Sequence, residues 1–194
     1  MKRLPLIPTI LVGAAIALMI GLGIWQLQRA QWKQGLLAQY AKAATLPAVG
    51  WPAVPMQKDA PLFRRATGFC LSVTGWSASA GRNRQGESGF SHFAACRTGG
   101  AEGPGMKVDM GWSRDPANPV WTGGPVTGVI APDTAQIIRL VSDTPAPGLE
   151  ASQPPDPSDI PNNHLAYAVQ WFLFALVAGV IYWLALRKRR PSTS

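Results

Sequence analysis

The chain has 194 residues, of which 47% are hydrophobic and only 14% charged, and its formal net charge is +8. This charged fraction is low for a soluble protein, and the apolar residues concentrate in two segments near the chain ends. Six of the 18 cations flank those segments, whereas residues 28–163 hold 12 Lys and Arg against all 10 Asp and Glu. The composition therefore excludes a nucleic-acid-binding footprint and indicates a membrane protein.

The first apolar segment, Leu6–Leu27, has 22 residues without a charge, and about 20 suffice to cross a bilayer. Because Lys2 and Arg3 precede it, a cleaved signal peptide is the alternative. The apolar run is longer than a typical signal core, however, and it continues into the bulky sequence WQLQRAQWK instead of a small-residue cleavage site. We therefore expect an uncleaved transmembrane helix.

The residues after this segment favour a longer helix. RAQWKQGLLAQYAKAA consists of good helix formers, interrupted only by Gly35. The following TLPAVGWPAVP contains prolines and a glycine that a helix does not accommodate. The helix is predicted to continue to about residue 44.

The middle of the chain has short β-like runs separated by clusters of Gly, Pro, Asn and Asp. Five strands are predicted, at 63–73, 88–96, 106–113, 124–132 and 135–142. Their spacing indicates a small, mainly antiparallel sheet or barrel. The next segment, residues 143–163, has six prolines and no periodicity, and is predicted to be a loop or linker.

The second apolar segment, Leu165–Leu186, also has 22 residues without a charge and predicts a second transmembrane helix. Asn162 or Asn163 is expected to cap its start. Four cations, Arg187–Arg190, follow it and place both termini in the cytoplasm. Cations that follow the first helix oppose this orientation, so the C-terminal cluster decides it.

The predicted fold is that of a membrane protein: two transmembrane α-helices in an antiparallel hairpin flank a small, mainly antiparallel β (α+β) periplasmic domain. Residues 1–27 form the cytoplasmic N-terminus and first span, residues 28–163 the periplasmic domain, and residues 164–194 the second span and basic tail. There is no GxSxG, no phosphate-binding glycine loop and no HExxH in the sequence. We therefore expect no enzyme.

The two cysteines, Cys70 and Cys96, fall in the predicted periplasmic segment, where disulfides form. Their separation matches neither CxxC nor a zinc pattern, so a structural disulfide and two free thiols both remain open. His92 lies four residues before Cys96 in a predicted strand. At that spacing two strand residues are about 13 Å apart, so we expect no shared metal ion.

A helical period places a polar and aromatic stripe on each span. The first stripe contains Gly21, Trp25, Arg29 and Trp32. The second contains His164, Tyr167 or Ala168, Trp171 and Ala175. In an antiparallel pair, Arg29 is expected near His164 with aromatic rings below, a cradle for a flat apolar molecule with carboxylates and an iron. An ordinary interfacial belt of aromatic residues with a snorkelling cation is the alternative.

Two motifs in these helices resemble the surfeit-locus (Surf/Shy) family of cytochrome oxidase assembly factors. They are GIWQLQRAQWKQGLLA, residues 23–38, and PNNHLAYAVQWFLFA, residues 161–175. Weaker similarities lie between them, in LFRRATGFCLSV, SGFSHFAAC and VDMGWSRD. In order and spacing the resemblance covers nearly the whole chain.

The resemblance implies a bacterial inner-membrane protein that assists assembly of a haem-copper terminal oxidase, cytochrome c oxidase. The implied activity is to bind haem a and help insert it into the catalytic subunit, with haem a synthase and membrane lipid as further partners. His164 corresponds to the histidine of the NNHL motif and becomes the expected iron ligand; Trp25 corresponds to the tryptophan of the first motif. From the stripes, Arg29, Tyr167 and Trp171 complete the predicted haem-binding set.

The chain departs from the family pattern in its middle part. Asp109 and Met110 stand where the family usually has Asn-Arg before Gly-Trp, and Ala95–Arg97 replace a Thr-Pro-Leu. Two other functions stay open. One is a scaffold for oxidase subunits that holds no haem. The other is periplasmic copper delivery, because thiolates and thioethers select Cu(I), although the cysteines form no paired motif.

Overall fold

The computed structural model describes residues 5–99 and 105–188. They fall into two compact units, a helical unit within residues 1–36 and 161–194 and a β unit of residues 37–160. The elements in chain order are α1 (Leu6–Ala43), β1 (Val49–Gly50), β2 (Arg65–Cys70), β3 (Ser72–Arg82), β4 (Ser88–Arg97), β5 (Met106–Ser113), β6 (Gly124–Asp133), β7 (Ile137–Ser142), a short 3-10 helix (Pro157–Asp159) and α2 (His164–Lys188). The cations Lys2, Arg3, Arg189 and Arg190, used to predict topology, lie outside the described residues.

The helical unit is an antiparallel pair. The hydroxyl of Thr9, near the start of α1, contacts that of Tyr182, near the end of α2. Gln26, near the end of the apolar segment Leu6–Leu27, bonds His164 at the start of α2. Both helices are long and apolar enough to cross a membrane, and large apolar side chains such as those of Leu11 and Leu176 are exposed. Lipid covers such surfaces at the least cost, so the chain is a membrane protein.

Small residues bring the two helices together. The buried positions are Gly23 and Ala30 on α1 and Ala168 and Ala175 on α2. A Cβ atom added to Gly23 would lie 2.6 Å from the Phe172 ring, so a larger residue here would force the ring to shift. Because lipid is as apolar as the helices, the hydrophobic effect does not drive helix association in a membrane. Close packing of small residues and interhelical polar contacts stabilise the pair instead.

The β unit is one seven-stranded sheet in the order β1-β2-β6-β7-β5-β4-β3. Four of the six strand pairings are antiparallel, and β1 with β2 and β5 with β7 are parallel. The predicted architecture of two apolar helices flanking a β domain is confirmed. One face of the sheet forms the core, whose fully buried side chains include Ala94, Val108, Ile130, Ile138 and Leu140.

A disulfide connects distant members of the sheet. Cys70 ends β2 and is bonded to Cys96 in β4, although three strands stand between β2 and β4 in the sheet order. The Leu71 N–H also donates to the Arg97 carbonyl at 2.8 Å. The sheet therefore curls so that strands near its two ends approach each other. Of the two alternatives that the sequence left open for the cysteines, a disulfide or two free thiols, the structure has the disulfide.

The sheet has seven strands where the sequence predicted five. The predicted strand 63–73 divides, with β2 ending at Cys70 and β3 beginning at Ser72. β3 was not predicted because its sequence, SVTGWSASAGR, is dominated by small residues and lacks apolar alternation. β3 lacks this alternation because it is the last strand in the sheet order and is largely exposed, so few of its side chains are buried.

The proline-rich segment 143–163 is partly built into the β unit. The Ala146 N–H donates to the Met110 carbonyl at 2.8 Å, and Glu150 exchanges two backbone bonds with Trp112 at 2.7 and 2.9 Å. Ser152 is also buried. The first half of the segment therefore packs as an ordered strap on the sheet, which the absence of periodicity could not indicate.

Candidate functional site

His164 and Gln26 form a polar contact between the helices, at the start of α2. His164 Nδ1 lies 2.7 Å from Oε1 of Gln26. Because an amide oxygen only accepts hydrogen bonds, Nδ1 carries the proton, and the neutral imidazole that fits this contact has its lone pair on Nε2. Histidines that bind metals commonly show this arrangement, in which an oxygen at the other ring nitrogen fixes tautomer and orientation. The imidazole is thus prepared to donate through Nε2.

The chain just before His164 is held by a cation from α1. Lys33 Nζ donates to the Pro161 carbonyl. The Asn163 carbonyl accepts from the Tyr167 N–H at 3.2 Å, which puts Asn163 at the N-cap position. The Asn162 Oδ1 is buried and has no donor among the described residues, so Asn162 does not supply the predicted side-chain cap.

Among the described residues the hydrogen-bond partner of His164 is Gln26, and Arg29 contacts a neighbour on its own helix. Its guanidinium lies over the ring of Trp32, 4.3 Å from the centroid. At roughly 100° per residue, Trp25 and Arg29 lie on a side of α1 away from Gly23, which packs against α2. The face of α1 that meets α2 is set by its small residues, and this face carries Gln26. The stacking of Arg29 on Trp32 occupies one face of its guanidinium, and its predicted role at the site stays a prediction.

The α2 residues of the predicted stripe have different surroundings. Of the two alternatives at the second position, Ala168 is buried in the helix contact and Tyr167 is 51% exposed. Trp171 is half-buried and meets Phe174 edge-on, with ring centroids 6.2 Å apart. Trp25, at 53%, is as exposed as Tyr167. The structure thus brings His164 and Trp171 to the helix pair and leaves Trp25, Arg29 and Tyr167 on its outer surface.

An apolar groove of about 530 Å³ lies between the helices farther along the spans. Ile16 and Ile20 of α1 and Phe172 and Gly179 of α2 are among its walls, and no charged side chain lines it. Phe172 also packs on Gly23, one turn from Gln26. The helix pair therefore offers a basic nitrogen at one end and an apolar surface leading away from it.

The second histidine, His92, belongs to the β unit. It is fully buried, its Nε2 lies 2.9 Å from Ser113 Oγ, and its Nδ1 has no partner among the described residues. Burial lowers the pKa of His92 below its ordinary value, against the opposing effect of Asp115. Its strand neighbour Cys96 is held in the disulfide. Within residues 5–99 and 105–188 no three His, Cys, Asp or Glu side chains cluster as metal ligands.

These features define a class of protein: a membrane protein with an antiparallel pair of apolar helices. The residues between the two helices in the sequence form a curled β domain. The model of the SURF1 family matches residues 13–176, a span that includes both helix motifs and all seven strands. The chain belongs to the SURF1 family. A comparison with curated proteins gives no match. Membership supports a role in cytochrome c oxidase assembly, in a family of assembly factors as opposed to enzymes.

Two residues that complete the contact between the helices, Gln26 and Lys33, were not predicted from the sequence. A signal for Gln26 existed, since it lies three residues after Gly23 and four before Ala30. Small residues at such spacing predict a helix interface in a membrane, and a polar residue between them faces the same partner.

Proposed function

We propose that this protein binds haem a at the helix pair and helps insert it into the catalytic subunit of cytochrome c oxidase. His164 ligates the iron through Nε2. The observation that carries the proposal is the hydrogen bond from His164 Nδ1 to Gln26, which leaves Nε2 with the lone pair that iron requires. Gln26 is a positioning residue in this scheme.

Other residues near the helix ends fit parts of such a ligand. Trp25 and Tyr167 are exposed, so their rings are available to a flat macrocycle that approaches from outside the helix pair. Arg29 is exposed too, and stacked on Trp32 it offers its guanidinium to a carboxylate. Trp171 supports the aromatic surface from its half-buried position. Haem a synthase is the proposed donor and membrane lipid the surrounding medium.

We place the protein in a bacterial inner membrane with both termini in the cytoplasm and the β unit in the periplasm. Arg187 and Lys188, in the last turn of α2, support this orientation because cations are retained on the cytoplasmic side. The Cys70–Cys96 disulfide is consistent with an oxidising compartment.

The test is to co-express the full chain with a haem a synthase and record the absorption spectrum of the purified protein. We expect a haem a spectrum in the wild type and its loss in His164→Ala. Gln26→Ala should weaken haem binding about 10- to 100-fold, the range for loss of an orienting partner. Gln28→Ala, an exposed glutamine on the same helix, is the matched control and should bind as the wild type does.

A haem a spectrum unchanged in His164→Ala would remove the ligand assignment. If the protein is instead a scaffold that holds no haem, oxidase from a deletion strain is expected to keep its haem and lack a subunit. The copper-delivery alternative loses its thiolate ligands, because both cysteines are in the disulfide and no free thiol remains among the described residues.

A further inference from the structure

The apolar groove between the helices has the length of a lipid acyl chain. Its walls on α2 run from Phe172 to Trp183, and at a rise of about 1.5 Å per residue this interval covers about 16 Å along the helix axis. One leaflet of a bilayer contributes about 15 Å, which is half of a hydrocarbon thickness of roughly 30 Å. The groove therefore extends over about one leaflet.

The lining of the groove is apolar over this length. Ile16 and Ile20 form its α1 side, and Leu176, Gly179 and Val180 lie between its two aromatic ends on α2. A Cβ atom added to Gly179 would have Ile16 Cδ1 at 3.8 Å as its nearest neighbour, so Gly179 leaves room between the helices that a large side chain would occupy. A hydrocarbon chain fits such a surface, because it has no polar atom that needs a hydrogen-bond partner there.

A cation lies on the same face of α2, beyond one end of the groove. Leu176, Val180, Trp183 and Arg187 follow one another at spacings of four, three and four residues, which places them on one face of a helix. The guanidinium carbon of Arg187 lies 4.5 Å from the centroid of the Trp183 ring, and Trp183 lines the groove. The positive charge is therefore held beside the end of the groove.

The surroundings of Arg187 are cationic. Residues 1–36 and 161–194 contain no Asp or Glu, so within the helical unit Arg187 has no carboxylate to pair with. The six cations that flank the apolar segments either precede α1 in the sequence or lie from its last turn of α2 onwards. In an antiparallel pair these positions belong to the same end, where an anionic group meets attraction and no opposing carboxylate.

Polar side chains mark the depth at which this end reaches the membrane surface. The hydroxyls of Thr9 and Tyr182 contact each other next to Trp183 in the chain. Tyr and Trp are favoured at the boundary between hydrocarbon and headgroups, because each combines an apolar ring with a polar atom. Arg187 lies one turn beyond Trp183 and is exposed, which corresponds to the level of lipid phosphates.

We propose that the helix pair binds an anionic phospholipid at this place. One acyl chain lies in the groove between Phe172 and Trp183, and the phosphate of the headgroup bonds Arg187. Burial of the chain gives affinity for any phospholipid. Arg187 gives a preference for a net negative headgroup, since the choline of a zwitterionic lipid compensates its phosphate. The site is independent of the proposed haem site, which lies at the opposite end of the pair.

The test of the headgroup contact is a titration of the full-length protein in detergent, read by native mass spectrometry. The probes are phosphatidylglycerol and phosphatidylcholine with identical acyl chains. We expect phosphatidylglycerol to bind about fivefold more tightly, the effect of one cation near the headgroups. Arg187→Gln should remove this preference. Lys188→Gln is the matched control, because Lys188 belongs to the same turn but lies about 100° round the helix, and it should keep the preference.

A second pair of variants tests the groove itself. Gly179→Leu fills the space between the helices and should weaken the binding of both lipids about tenfold or more, because each buried methylene contributes to affinity. Gly21→Leu is the matched control. An added Cβ at Gly21 has nothing within 4 Å, and Gly21 is not among the residues that line the groove, so binding should stay unchanged.

A photoactivatable phosphatidylglycerol locates the lipid on the wild-type protein, so this measurement does not depend on any variant folding. With a diazirine in the middle of its acyl chain, crosslinks are expected at groove residues such as Ile16, Ile20, Leu176 and Val180.

Four results would overturn the proposal. Equal affinity of the wild type for the two lipids would remove the headgroup contact. Equal effects of Arg187→Gln and Lys188→Gln would reduce it to diffuse attraction by the basic end. Crosslinks spread over the outer faces of both helices would show that the groove holds no lipid in particular. A dimer of the lipid-free protein that Gly179→Leu dissociates would assign the groove to a second copy of the chain.

Discussion

At the scale of single residues, Gly23 decides how the helices meet. An added Cβ would lie 2.6 to 2.7 Å from atoms of the Phe172 ring, whereas Gly21, two residues earlier, has nothing within 4 Å. Gly23→Leu is expected to destabilise the helix pair by about 1–3 kcal/mol, the cost of overpacking. Reversible unfolding in mixed micelles with increasing SDS measures this. Gly21→Leu is the control, and equal effects of the two substitutions would contradict the packing described.

Asp109 is a second residue with a testable consequence. It is buried, and this raises the pKa of its carboxyl, although hydrogen bonds from Ser152 and Gly111 and the nearby Arg139 lower it. A raised pKa means that the folded state binds more protons than the unfolded state between the ordinary and the raised value. Stability therefore falls as the pH rises through that interval, and the loss is complete above the raised pKa.

Asp109→Asn should remove this loss while keeping an oxygen to accept from Ser152 and Gly111. We expect the variant to be more stable than the wild type at pH 7, with a difference that shrinks as the pH approaches the ordinary Asp value. Thermal unfolding at both pH values measures it. Greater stability of the wild type at pH 7 would show that the ionised carboxylate is fully compensated.

At the scale of elements, the disulfide is the covalent link between β2 and β4. It closes a loop with a sequence separation of 26, for which chain entropy gives a stabilisation of about 3.5 kcal/mol. The double variant Cys70→Ala/Cys96→Ala should lower the free energy of unfolding by about this amount in a denaturant titration. The reduced wild type should behave like the variant. An unchanged midpoint in both would show that the curl of the sheet is held by its other contacts.

An element was predicted from the sequence where its own residues show an apolar run or an apolar alternation. Leu6–Leu27 and Leu165–Leu186 are marked by uninterrupted apolar character, and the strand at 106–113 has the predicted bounds because it is central and rich in apolar residues. β3 carries no such pattern, since an exposed edge strand buries little. The pairing of β2 with β6, and not with its sequence neighbour β3, depends on contacts far apart in the chain.

At the scale of the whole molecule, the proposed orientation can be measured directly. Gln85 is exposed in the β unit and Lys188 is exposed at the end of α2. In spheroplasts, Gln85→Cys should react with a membrane-impermeant maleimide, and Lys188→Cys should react only after the membrane is permeabilised. The reverse pattern would invert the topology. Because both natural cysteines are in the disulfide, the unsubstituted protein should remain unlabelled and serves as the control.

The sequence alone determined that this is a membrane protein with two spans around a β domain, and it singled out His164. Hydropathy and strand alternation are local properties, so residues near in sequence suffice to show them. The tertiary structure decided that Gln26 bonds His164, that Cys70 and Cys96 are bonded, and that an apolar groove lies between the helices. Each of these three features depends on contacts between residues that are far apart in the chain. Those contacts are determined by the packing of small residues between the helices and by the curling of the sheet.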